Sequence, residues 1–266
     1  MEIELQNLTF QYDYPPSLVL QNINLKIEKG DVVALMGPSG SGKSTLIKII
    51  SSFLKPSSGN VLINGNPIQI NKPYPNLAYV SQSSHKTLFP WLSVEKNIYY
   101  PNKLRGNLNS ESKQYCDELL STLKIDRKRK SFPFNLSGGE QKRLSLAVAL
   151  SYKPEIILLD EPFSGIDFRL TEELWDVLYS DFQERKPTVL FVTHSLDEAS
   201  LLASKTVFLK NISTEKDKEF FTLHFPDKTV FNFDGEPTLP RYEQMMNHKI
   251  IEYRKYLLEE FNKEIV

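Results

Sequence analysis

Cysteine is nearly missing: Cys116 is the sole one in 266 residues. One thiol excludes an intramolecular disulfide framework and any metal centre built mainly of thiolates, which fits a reducing compartment. Excess charge is missing too, 32 Lys and Arg standing against 33 Asp and Glu for a net charge of -1. The chain as a whole therefore gives no reason to expect nucleic acid as a partner. No apolar run approaches the roughly 20 residues of a membrane span. "MEIELQNLTF" has neither the basic n-region nor the apolar h-region of a secretory leader, so a membrane role is expected only through a partner. Neither an internal repeat nor a low-complexity tract occurs. At roughly 100–200 residues per domain, the length allows one large domain or one domain with an appendage.

What is present begins with strands. "IELQNLTF" precedes "LVLQNINLKI", where Ile23, Leu25 and Ile27 alternate with polar residues in the two-residue period of a half-buried sheet, and Asp13 to Pro16 is the break between them. "GDVVALMG" is a short apolar run of the kind buried on both faces, followed by glycine-rich sequence and a helix-like "STLIKIISSFL". Asn64 and Gly65 mark a hairpin. From Ser93 to Leu123 the pattern is helical, with Leu119, Leu120 and Leu123 at helix spacing and Pro101 interrupting it; residues 91–149 are expected to form a mainly helical insertion. "EIILLDEP" and "PTVLFVTH" read as buried strands on either side of the amphipathic "LTEELWDVLYSDFQE". Such alternation predicts a parallel sheet with helices on its faces. After "SKTVFLK" the pattern changes to a hairpin turning at Pro226 to Lys228 and a charged helix with Ile250, Leu257 and Phe261 on one face. The expected boundary lies near Asn211, giving a domain over 1–210 and a C-terminal extension over 211–266.

"GPSGSGKST" supplies Gly37, Pro38, Ser39, Gly40, Ser41, Gly42, Lys43, Ser44 and Thr45, a complete G-x-x-x-x-G-K-[ST] P-loop between a buried strand and a helix. The glycines let successive backbone N–H groups turn toward phosphates, and the helix start adds its dipole. Lys43 is placed for the β- and γ-phosphates and the Ser44 hydroxyl for Mg²⁺. In "IILLDEP", Asp160 ends an apolar strand as a second Mg²⁺ group, and Glu161 follows as the residue to orient or deprotonate water. Alone, such an acidic pair is more commonly a helix cap or an ion pair; behind a complete P-loop the chemical reading wins. His194 and Gln82 also sit at strand ends, where ligands collect in such sheets. "NLSGGEQKRLSLAVAL" then places Ser137, Gly138, Gly139 and Glu140 at the start of another helix, a second phosphate-binding design about a hundred residues after the first.

The set, in this order, resembles the ATP-binding cassette family of transporter ATPases. The P-loop is followed by Gln82 as the Q-loop, "LSGGE" as the signature, "IILLDE" with Glu161, "SGID" at Ser164 to Asp167 as the D-loop, and His194 as the switch histidine. The resemblance covers about residues 1 to 210. It implies an α/β P-loop NTPase fold with a mixed core sheet, an N-terminal antiparallel β-subdomain and a helical signature subdomain. It also implies ATP and Mg²⁺, with Ser44, Gln82 and Asp160 at the metal, Lys43, Gln82, Glu161 and His194 in catalysis, and Tyr12 stacked on adenine. In the family two cassettes dimerise head to tail, so Ser137, Gly138 and Gly139, with Glu140 beside them, bind ATP held by a second chain. Gln82 senses both the metal and a membrane partner. "TLFPWLSVEKN" is similar to a segment of the importer branch serving nitrate, sulfonate, taurine and vitamin-precursor systems, which makes Gln82 to Trp91, with Phe89, Pro90 and Leu92, the expected permease contact.

The resemblance thus implies a peripheral ATPase on the cytoplasmic face of the cell's inner membrane, with a permease and an extracytoplasmic solute-binding protein. The Gln82–Trp91 spacing is about two residues longer than in that branch, Gly165 and Ile166 replace the usual Ala and Leu, and the C-terminal hairpin is unlike the usual ending. An exporter or lipid-trafficking subunit is the first alternative. A soluble cassette protein acting on ribosomes or DNA is the second, disfavoured because such chains carry two cassettes or a long coiled-coil arm. "RKRK" at Arg127 to Lys130 reads as a solvated turn.

Overall fold

The alternating N-terminal segments become β1 (Ile3–Asp13) and β2 (Pro16–Ile27), which pair antiparallel with Ile3 opposite Ile27 and Leu5 opposite Leu25. This is a computed structural model, describing residues 2–14, 16–72, 74–83, 87–209, 221–224, 252 and 254–259. Next come β3 (Val32–Met36), α1 (Lys43–Ile50), β4 (Ser58–Ile63) and β5 (Asn66–Pro67). The β4–β5 turn has Asn64 at φ +51 and Gly65 at φ +74, the pair of left-handed residues that a tight hairpin requires. These strands form an antiparallel sheet of order β2-β1-β4-β5.

The second sheet is built from β6 (Leu77–Val80), β7 (Ile156–Asp160), β8 (Thr188–Val192), β9 (Lys205–Phe208) and β10 (Phe221–His224), with β3 among them. Its order is β10-β9-β3-β8-β7-β6; β6, β7, β8, β3 and β9 run parallel, and β10 is antiparallel to β9. Between its strands lie α2 (Val94–Leu104), α3 (Ser110–Thr122), α4 (Gly138–Leu150), α5 (Phe168–Arg185) and α6 (Leu196–Leu202). The central strands read as unbroken apolar runs because both faces are covered. Val33, Leu35, Leu158, Leu190 and Val192 join the aliphatics of the antiparallel sheet and α1. Ala34, Met36, Ile157, Leu159, Val189 and Phe191 join the helices on the other side. Each fully buried aliphatic contributes about 1.5–3 kcal/mol, so the sheet is anchored twice and its strand ends hold a fixed geometry.

Two expectations are revised. Pro101 does not interrupt its helix: α2 runs through it to Leu104. Pro101 sits in the last turn, where one missing N–H is tolerable. Upstream, the buried Asn97 side chain fixes the helix start, accepting from Phe89 N and donating to the carbonyls of Phe89, Leu92 and Ser93. Within the basic run, Arg129 is not merely solvated but forms ion pairs with Asp117 and Glu95. Past residue 210, Phe221–His224 extends the core sheet, and Leu257, in a helical stretch over 254–259, is wholly buried in the helix-side core. The turn at Pro226 to Lys228, Ile250 and Phe261 lie outside the described residues.

Candidate active site

β3 delivers the chain into the P-loop and α1 takes it out. Gly37 is at φ +143, and a Cβ there would lie 2.2 Å from the Leu209 carbonyl oxygen; Gly42, at φ +98, would press 2.8 Å onto Val19 and Leu20. Among the described residues no protein acceptor meets the amides of Gly42, Lys43, Ser44 and Thr45, so the start of α1 presents a concave set of donors suited to an anion. Lys43 arches over the loop, its Nζ donating to the carbonyls of Gly37 and Pro38 at 2.8 Å each. Burial pushes its amine below the ordinary lysine range, against the pull of Glu161 and Asp160. Pro38 is half-buried, Ser39 and Gly40 are exposed at the tip, and the buried Ser41 Oγ has no partner among the described residues. Tyr12, on β1, reaches Thr45 Oγ1 at 3.1 Å while leaving 38% of itself exposed beside the loop.

Three parallel strand ends converge on this loop. Asp160 closes β7 and accepts from Ser44 Oγ at 2.9 Å. Its carboxyl is pushed up chiefly by burial, with Ser44, Lys48 and Lys43 opposing and Glu161 adding to the rise. A hydroxyl and a carboxylate at this spacing are hard oxygen donors of the kind Mg²⁺ takes. Among the described residues no trio of His, Cys, Asp or Glu forms a metal cage, so a cation here would share phosphate oxygens. Glu161 follows in the left-handed region at φ +50. Gln82, just past β6, donates to its Oε2 at 2.7 Å, and His194, just past β8, brings Nε2 to within 3.0 Å of its Oε1. One carboxylate is thus fixed at both oxygens by groups that follow two other strands.

The signature forms the start of α4. Ser137 is the N-cap, its Oγ accepting from Glu140 N at 3.2 Å, while Glu140 Oε2 accepts from Ser137 N at 2.8 Å. That amide holds the Glu140 carboxyl below its ordinary range, so the carboxylate is occupied in capping. A Cβ on Gly138 would meet nothing within 4 Å, and one on Gly139 nothing nearer than 3.8 Å. Within this chain neither position needs to be glycine. Among the described residues no hydrogen bond or ion pair joins Ser137, Gly138, Gly139 or Glu140 to the P-loop.

Two groups escape the sequence motifs. Lys142, only 5% exposed on α4, donates to the carbonyl and hydroxyl of Ser164. Glu198, on α6, accepts from Thr193 Oγ1, which in turn accepts from Ser195 N at 2.9 Å. Lys142 stands four residues before buried Leu146 and seven before Ala149, on the buried stripe of its helix; that placement was the available clue. Trp91 is 70% exposed, packed on Phe89, which also meets Tyr100 edge-on. It is therefore not a core aromatic. Phe89, Tyr100, Leu104, Val148 and Tyr152 help to line an open groove of about 360 Å³ beside it.

This fold and this site define a P-loop nucleotide hydrolase, with a phosphate cradle, a hydroxyl–carboxylate pair and a doubly held carboxylate at adjoining strand ends. Comparison narrows the class. Residues 20–164 match the ABC transporter family. The nitrate import ATP-binding protein NrtD of Synechococcus elongatus is 38% identical over 205 residues, 76% of this chain and 73% of that one. The aliphatic sulfonates import ATP-binding protein SsuB of Bacillus subtilis is 38% identical over 208 residues, 78% and 79% of the two chains. The dimeric structure of MJ0796, described as a bacterial ABC transporter cassette, has a TM-score of 0.72 at 31% identity, covering 81% of this chain and 98% of that one. The MJ0796 dimer bound to ADP and Pi matches equally, with a TM-score of 0.72 at 30% identity, covering 82% and 100%. The chain belongs to the ABC transporter family, as an ATP-binding subunit and ATPase. Among its described residues no helix is long and apolar enough to cross a membrane.

Proposed function

We propose that this subunit powers import of a small solute, at the cytoplasmic face of the inner membrane, through a separate permease served by an extracytoplasmic solute-binding protein. The observation that carries the chemistry is the Glu161 carboxylate held between Gln82 and His194. Lys43 and the P-loop amides hold the phosphates. Ser44, Asp160 and Gln82 hold Mg²⁺, which when bound neutralises charge on the phosphate oxygens. Glu161 takes the proton of the attacking water, Gln82 and His194 keep its oxygens aligned, and His194 stabilises the γ-phosphate as charge develops. Tyr12 offers its exposed ring to the adenine.

Ser137, Gly138 and Gly139 act on ATP held by a second copy. Their support is the capped helix start, with room for close approach that nothing among the described residues fills. Nucleotide then joins two chains, and hydrolysis releases them. Import as the direction of transport is supported by the names of the nitrate and sulfonate relatives. The exposed Trp91 and the groove beside it, following Gln82, are the proposed permease contact.

Tagged Glu161→Gln protein, purified from detergent-solubilised membranes of its host with ATP and Mg²⁺, tests both parts. Hydrolysis should fall about 10²–10⁴-fold. Light scattering should report an ATP-dependent dimer, and mass spectrometry a multi-span membrane protein with a solute-binding protein. A monomer with ATP would remove the shared site; ribosomal or DNA-associated proteins in place of a permease would remove the transport reading.

A further inference from the structure

The signature and the Glu161 carboxylate belong to different elements, and one buried side chain joins them. Lys142 lies five residues into α4, about 7.5 Å of helix rise from Ser137. Its Nζ donates to the Ser164 carbonyl at 2.9 Å and to the Ser164 hydroxyl. Ser164 passes the contact on: its Oγ donates to the Glu161 carbonyl at 3.2 Å and its backbone N to the same oxygen at 3.3 Å. Burying an ammonium costs free energy unless it is paired, and a lysine held still also gives up much rotamer entropy. Leucine would fill the same stripe of α4 without the cost of burying a charge and with a smaller loss of rotamer entropy. The lysine is held in the field of Glu161, Glu198 and Asp160. Glu161 itself sits at φ +50, a backbone state that its neighbours must impose. The two Ser164 bonds to its carbonyl are among the contacts that do so.

We propose that Lys142 is a positioning residue that carries displacement of the signature helix, through Ser164, to the backbone of Glu161. This rests on the two-chain reading above. In that arrangement Ser137 touches the ATP of the partner chain while Glu161 acts on the ATP of its own. Lys142 therefore links the two nucleotide sites: engagement of the signature at one sets the alignment of the carboxylate at the other.

The test is ATP-dependent hydrolysis by the full chain and by Lys142→Met, Ser164→Ala and the double variant. Each single change should lower kcat about 10- to 100-fold and move the Hill coefficient from about 2, the limit for two sites, toward 1. ATP affinity of the single chain should stay unchanged. The double variant should be no worse than Lys142→Met alone, because Ser164→Ala removes only the hydroxyl branch of the same relay. A purely structural lysine would lower thermal stability and leave the Hill coefficient alone. If Lys142→Met does not fold, Ser164→Ala, at an exposed position, tests the hydroxyl branch of the relay by the same readout, the Ser164 carbonyl and amide bonds remaining.

A wild-type Hill coefficient of 1, unchanged coefficients in the variants, or multiplicative effects in the double variant would each overturn the proposal. Light scattering of Glu161→Gln with ATP separates the causes. If it stays monomeric, the two-chain reading falls and this proposal with it; if it dimerises while the coefficients do not move, only the role of Lys142 falls.

Discussion

At the scale of single residues, Glu198 bears a cost that the motif residues around it do not reveal. Its carboxyl is pushed from 4.5 up to about 7, by burial first and by Glu161 and Asp197, against the Thr193 hydrogen bond and Lys142. A folded-state value above the unfolded one means that the folded chain keeps a proton the unfolded chain has lost. The favourable contribution is complete below about pH 4.5 and is lost as pH rises to about 7. At 1.36 kcal/mol per unit this amounts to roughly 3 kcal/mol above neutrality. Glu198→Gln should therefore unfold at a higher temperature than wild type at pH 8, by about 2–4 °C per kcal/mol. Near pH 4 the two should melt together; a lower melting temperature for the variant at pH 8 would show that the carboxylate, not its neutral shape, is what Thr193 requires. The sequence named Glu161 and His194 from their places at strand ends. Glu198 was not legible in it, because in a charged stretch of a helix nothing distinguishes an acid that faces solvent from one that faces the site; Lys142 left only its place on the buried stripe of α4 as a clue.

At the scale of elements, α4 separates what folding wants from what the site wants. Its first helical residues are Gly138 and Gly139, and glycine in a helix is worth up to about 1 kcal/mol less than alanine. Since a Cβ on Gly138 meets nothing, Gly138→Ala should raise the thermal stability of the isolated chain by up to that amount. By keeping the second chain's nucleotide at a distance, it should also cut hydrolysis about 100-fold. Calorimetry and a steady-state assay check the two halves, and a loss of stability would show that the glycine serves the chain's own packing. The strands were the most legible elements, since "VVALM", "IILLD" and "TVLFV" are apolar on both faces. Pro101 misled because a proline in a final turn and one that ends a helix look alike in sequence. The difference lies in position alone, since α2 ends at Leu104, three residues past the proline.

At the scale of the whole molecule, the order of motifs along the chain anticipates which candidate residues meet, because a parallel sheet gathers the ends of β3, β6, β7 and β8 on one edge. The far end of the chain was not legible in this way. A break in pattern near Asn211 looks like the end of a domain, yet β10 pairs with β9 residue for residue from Phe221 opposite Phe208 to His224 opposite Lys205. A protein cut at residue 210 would keep every motif and still lose something. It would leave β9 as a bare sheet edge, its N–H and C=O groups free to template a strand from another copy. Such a protein should self-associate in light scattering without ATP and through the wrong surface, and a dimer of that origin would have the same mass as the one that nucleotide makes.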